Sequence, residues 1–149
     1  MQPADVDRLF DTVTAEAGML TGLVNNAGAT AHVGDLADTP VEVIRQVLDL
    51  NRPGPVLCAR RVAQVMSTSR GGRGGVIVNV SSAAATLGSA HEYVHYAAAG
   101  DPGRPDRVAA RIPLGRAGEV EEIAAAIGWL LGTEAPFVTG ATLRVAGGL

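Results

Sequence analysis

The chain is predicted to fold as a small α/β layer structure, a narrow and mainly parallel sheet between helices, on three observations. Helical and strand-like segments alternate along its length. The run Val76-Ile77-Val78-Asn79-Val80 is apolar and β-branched in the way of a strand buried on both faces. A long helical stretch separates it from an earlier apolar run, the spacing of a parallel crossover. The 149 residues suffice for one domain with a modest core, assigned to 1–149 as a single unit.

The elements follow in order. Val6, Leu9, Phe10 and Val13 share one helical face, and that helix is expected to end near Gly18. Leu20 to Val24 reads as a short strand stopped by Asn25-Asn26-Ala27-Gly28. Thr39 and Glu42 form a capping-box pattern with Pro40 in the first helical position. The helix they open carries Val43, Val47, Leu48 and Leu50, until Pro53 and Pro55 should break it before Val56 to Met66 resume helical spacing. Ser67 to Gly75 reads as a flexible loop, and Val76 to Val80 as the second strand. Small residues run to Ala99, followed by a Gly/Pro/Arg loop over 100–107 and a short helix ending before Pro113. Val120 to Leu131 gives an apolar-faced helix, and Ala141 to Val145 a third strand before Gly147-Gly148. A sheet this narrow has exposed edges, which predicts a homo-oligomer.

Composition excludes several functions. All 12 basic residues are arginine and none is lysine, so Schiff-base chemistry and a P-loop lysine are ruled out within the chain. Aromatic residues make up 3% and the net charge is −3, which leaves neither stacking platforms nor a basic footprint for nucleic acid. Cys58 is the sole cysteine, so no internal disulfide forms. No secretory signal and no spanning apolar run are read, so a cytoplasmic protein without a membrane partner is expected.

Two strand ends carry polar residues. Asn25-Asn26-Ala27-Gly28 lies at the carboxyl end of the first strand, the edge at which open α/β sheets place ligands. A plain strand-to-loop turn accounts for the same tetrapeptide. Ser81-Ser82 stands at the equivalent end of the second strand, with Tyr96 following 14 residues after Ser82. A serine hydroxyl and a tyrosine phenol brought together polarise a carbonyl and protonate it. A serine turn plus a half-buried tyrosine is the alternative.

LVNNAG, DLN, VIVNVSS, Tyr96 in HYAAAG, PLGRAGEVEEIAAAIGWLL and VTGATLRVAGG occur in that order. Together they resemble the short-chain dehydrogenase/reductase family, NAD(P)-dependent oxidoreductases on a Rossmann fold. The resemblance runs over nearly the whole chain and implies a truncated Rossmann-like three-layer fold acting on an alcohol or carbonyl compound. It implies cofactor contacts at Asn25, Ala27 and Gly28, and catalytic roles for Asn51, Ser82 and Tyr96. In those roles Ser82 positions the substrate oxygen, Tyr96 exchanges its proton and Asn51 orders a relay water. NAD or NADP is the implied cofactor.

The chain departs from the family in two places. The strand and glycine-rich turn that hold the pyrophosphate are not matched, and Gly71-Gly72-Arg73-Gly74-Gly75 precedes a strand instead of opening a helix. The family's Tyr-x-x-x-Lys reads Tyr96-Ala97-Ala98-Ala99-Gly100, after which a helix and a strand are skipped. A tyrosine of unperturbed pKa about 10 is phenolate in only about one molecule in a thousand at neutral pH. Arginine cannot relay a proton in place of the lysine, and Arg104 is the nearest candidate. Impaired catalysis, or a non-catalytic interaction module, is therefore expected. A rival pattern is His91-Glu92-Tyr93-Val94-His95, an H-E-x-x-H that would bind zinc for hydrolysis with a third ligand from Glu119, Glu121 or Glu122. Its other reading is a coincidence on a surface helix, and no metal-binding residues are assigned.

Overall fold

The computed structural model describes residues 2–29, 36–82 and 109–148. Helix α1 spans Pro3–Ala17, with proline in its first turn and Gly18 closing it at φ +83°. Strand β1 follows at Gly22–Asn25, helix α2 at Val41–Asn51, helix α3 at Pro53–Met66 and strand β2 at Val76–Asn79. Helix α4 occupies Val120–Leu131, the bounds expected from its apolar periodicity.

β1 and β2 pair in parallel, with Gly22 opposite Val76 and Asn25 opposite Asn79. Side chains alternate across a strand, so Gly22 and Val24 face one side and Leu23 and Asn25 the other. Leu23 packs on the core of Val6, Phe10, Val62 and Met66, supplied by α1 and α3. On the opposite side a Cβ at Gly22 would lie 3.3 Å from Leu131 of α4. The result is three layers, α1 and α3 on one face of the sheet and α4 on the other. Arg61 of α3 ties to α1 by ion pairs with Asp7, at 3.6 Å, and Asp11.

Three expectations are corrected. Residues 141–145 form no strand, and the sheet has two strands among the described residues. A strand needs a ladder partner; here Leu143 and Val145 stay exposed and Leu114 N–H bonds the carbonyl of Gly147 at 3.1 Å. Thr39 is not the cap residue of the next helix, because α2 starts at Val41 with Pro40 in the cap position, and Pro40 has no side-chain oxygen to offer. Glu119 and Glu122 instead form a capping box on α4. Pro53 and Pro55 do not delay α3 to Val56. They sit in its first turn, where a missing N–H costs no helical bond, and the break falls on Arg52.

The glycine-rich segment after α3 contains a defined turn. Gly71 takes the left-handed conformation at φ +87°, its N–H bonds Thr68 O at 3.1 Å and Gly72 N–H bonds Ser67 O at 2.9 Å. These crossed bonds are a Schellman closure of the 3-10 turn Thr68–Arg70. The short helix expected before Pro113 falls largely on residues outside those described.

Candidate active site

The carboxyl ends of β1 and β2 lie side by side because the strands are parallel and in register. The ladder continues one step past the strands, with Val80 N–H bonding Asn25 O at 2.9 Å. Asn25 ends β1 and Ala27 and Gly28 follow in the loop, while the half-buried Ser82 lies three residues beyond the end of β2. Tyr96 lies outside the described residues, as do the HEYVH segment, Gly100 and Arg104.

Asn51, the last residue of α2, reaches the loop after β1. Its Nδ2 donates to Ala29 O at 2.9 Å, while Ala29 N–H donates to its Oδ1 at 3.0 Å. The side chain thereby imitates a strand and closes both polar groups of one peptide. Gly28 lies beside this clamp: a Cβ there would sit 3.2 Å from Asn51 Oδ1. Glycine at this position lets Asn51 approach the loop, whatever else the loop contacts.

Asn25 is turned inward. Strand alternation aims it at the α3 layer, where Nδ2 donates to Pro55 O at 3.2 Å and to Asn79 Oδ1 at 2.9 Å. An asparagine amide has two hydrogens, and both are used within the protein. Sequence reasoning missed Asn79, Pro55 and Ala29 as parts of this edge. The equal position of Asn25 and Asn79 before the two strand ends was the available signal.

The residues assigned to the dinucleotide fit it in part. Ala27 and Gly28 are small and exposed, so the loop backbone is open to a flat base or ribose. The described residues hold no strand–glycine–helix turn to grip a pyrophosphate.

Elsewhere, Arg116 forms a two-pronged pair with Glu122, at 2.7 and 2.8 Å, and Glu119 N–H donates to Glu122 at 2.8 Å. The guanidinium and that N–H hold the Glu122 carboxyl down at about 2. The pair caps α4 and borders a hollow lined by Ile112, Leu114, Ile123 and Val145. Glu122, a candidate zinc ligand by sequence, is committed to Arg116. Burial raises the Cys58 thiol pKa, which suits a packing residue and not a nucleophile. No helix among the described residues is long and apolar enough to cross a membrane.

Known proteins resemble the chain in sequence and in fold. Residues 1–100 match the family model described as short chain dehydrogenase, and residues 97–149 match the model described as Enoyl-(Acyl carrier protein) reductase. The chain is 36% identical to the uncharacterized oxidoreductase YgfF of Escherichia coli, over 94% of this chain and 72% of that protein. It is 33% identical to the cis-4-hydroxycyclohexanecarboxylate dehydrogenase of Sinomonas cyclohexanicum, over 96% and 71%. A short-chain type dehydrogenase/reductase structure from Mycobacterium ulcerans superposes with a TM-score of 0.85 at 28% identity, covering 99% of this chain and 66% of that one. The chain thus spans 66% to 72% of the lengths of these three proteins. The YgfF alignment runs over 178 positions against a chain of 149, so the relative carries positions inside the matched span that this chain lacks. The two family models meet at 97–100, where the sequence skips from Ala99 onward.

Proposed function

The chain belongs to the short-chain dehydrogenase family, and from that premise we propose that the carboxyl edge of β1 and β2 is a nicotinamide-dinucleotide site serving an alcohol or carbonyl substrate. The observation that supports the reading is the clamp of Asn51 on Ala29 beside the in-register ends of β1 and β2, from which the loop of Ala27 and Gly28 departs. Bound NAD(P) supplies or accepts the hydride. Exposed backbone at Ala27 and Gly28 takes the flat part of the cofactor. The Ser82 hydroxyl donates a hydrogen bond to the substrate oxygen, and the Tyr96 phenol exchanges the proton with it.

Asn51 contributes through two groups. Its side chain holds Ala29, so the group it offers a relay water is its backbone carbonyl. The helical donor for that carbonyl would be residue 55, a proline without an N–H.

Proton transfer is weak by this account. The fourth residue after Tyr96 is Gly100, and the chain has no lysine to lower the phenol pKa. Turnover is therefore slow, and the exposed sheet edges and the absence of a basic surface pattern in the sequence support a cytoplasmic homo-oligomer without nucleic-acid partners. Neither the family models nor the relatives named above are zinc hydrolases, and the HEYVH segment is read as incidental.

Titration with NADH and NADPH, followed by nicotinamide fluorescence, tests the reading. Saturable micromolar binding of either one supports it. A flat response to both defeats it, and the non-catalytic module then stands.

A further inference from the structure

The bonds at the sheet edge close into a ring. From Asn25 the chain runs four residues to Ala29, which is clamped to Asn51. From Asn51 it runs four residues to Pro55, whose carbonyl returns to Asn25 Nδ2. The orientation of each amide in this ring is forced. A peptide carbonyl only accepts, so the Asn25 atom facing Pro55 O must be the NH2 group. The same NH2 faces Asn79, which must therefore present its oxygen. Asn79 is thus the fixed acceptor that takes the second hydrogen of Asn25 and ties the ring to β2, three residues before Ser82.

We infer that Asn79 is a positioning residue for the candidate site: by fixing the Asn25 amide, it holds the loop of Ala27 and Gly28 in place against the α2–α3 bend. It touches neither substrate nor cofactor in this role. The inference rests on the dinucleotide reading for its functional half and on the ring alone for its structural half.

A substitution series on the full chain separates the two. Asn79→Asp keeps an acceptor for Asn25, whereas Asn79→Ala removes it. In ¹⁵N spectra, amide exchange at Ala29 should quicken about threefold to tenfold in N79A, the loss of one net hydrogen bond, and return toward the wild-type rate in N79D. The NADH dissociation constant should rise by a similar factor in N79A and recover in N79D. Unchanged Ala29 exchange in a folded N79A overturns the inference, as does an NADH affinity that N79A leaves untouched. In the wild type both side-chain amide protons of Asn25 should be slowed in exchange. Solvent-like exchange of either one overturns the ring without any variant. A wild-type chain that binds no NADH defeats the cofactor reading, while the Ala29 and Asn25 signals still judge the ring.

Discussion

Gly72→Ala puts the segment between α3 and β2 to a stringent test. A Cβ at Gly72 would come within 2.5 Å of Val65 O and closer still to Met66 backbone, where no side chain can rotate away. Carbon contacts are favourable only at about 3.5–4.0 Å, so the chain must shift by about an ångström. That shift disrupts Gly72 N–H to Ser67 O, at 2.9 Å, and Gly74 N–H to Met66 O, at 2.7 Å. It also drags Met66, which is 5% exposed, out of the core. Two net hydrogen bonds at about 1 kcal/mol each, with about 1–3 kcal/mol for overpacking, give a loss of about 3–5 kcal/mol. For a chain of this size that is a Tm drop of about 10 °C or more, read by thermal or urea unfolding. Gly71→Ala is the control: its φ of +87° is unfavourable for alanine but no atom lies within 4 Å, so about 1–2 kcal/mol is expected. A Gly72→Ala loss below about 1 kcal/mol, or one smaller than that of Gly71→Ala, would mean that the segment accommodates the added carbon without losing these bonds.

Other perturbations have defined outcomes. Val62→Ala empties a site of 0% exposure at the centre of the α1–α3 core and should cost about 2–3 kcal/mol in urea unfolding. Asn51→Ala removes both bonds to Ala29, and Asn51→Asp keeps the acceptor but sets an anion against the Ala29 carbonyl. Each should lose about 1 kcal/mol or more and release the Ala29 amide to exchange. Glu122 has its pKa lowered from 4.5 to about 2 on folding, so its stabilisation is complete above 4.5 and is lost as pH falls toward 2. Glu122→Gln should lower Tm near neutrality and flatten the dependence of Tm on pH across that acidic window.

Much of the fold is legible in local pattern. Val120 to Leu131 is a nearly unbroken apolar helix with no competing signal, and its bounds follow from its composition. Val76 to Asn79 is β-branched and flanked by glycine, so β2 falls where expected. Residues 141–145 also read as a strand, yet among the described residues no neighbour pairs with them, and a strand is defined by its partner as much as by its own residues. Thr39 has a capping residue's chemistry, but the chain enters α2 one residue later. At the site, motif order brings out Asn25, Asn51 and Ser82. What Asn25 bonds to is set by pairing across 54 positions, to Asn79, and 30 positions, to Pro55, which no local window contains.

A nicotinamide dinucleotide is proposed to bind at the β1–β2 edge. The most direct measurement is a ¹⁵N-resolved titration of the full chain with NADH and, separately, NADPH. Saturable shifts are expected at the amides of Asn26, Ala27, Gly28 and Ser82, with Val6 and Val62 in the core unmoved. Absence of any saturable shift, or saturable shifts confined to α4 and the Arg116–Glu122 hollow, would contradict that proposal.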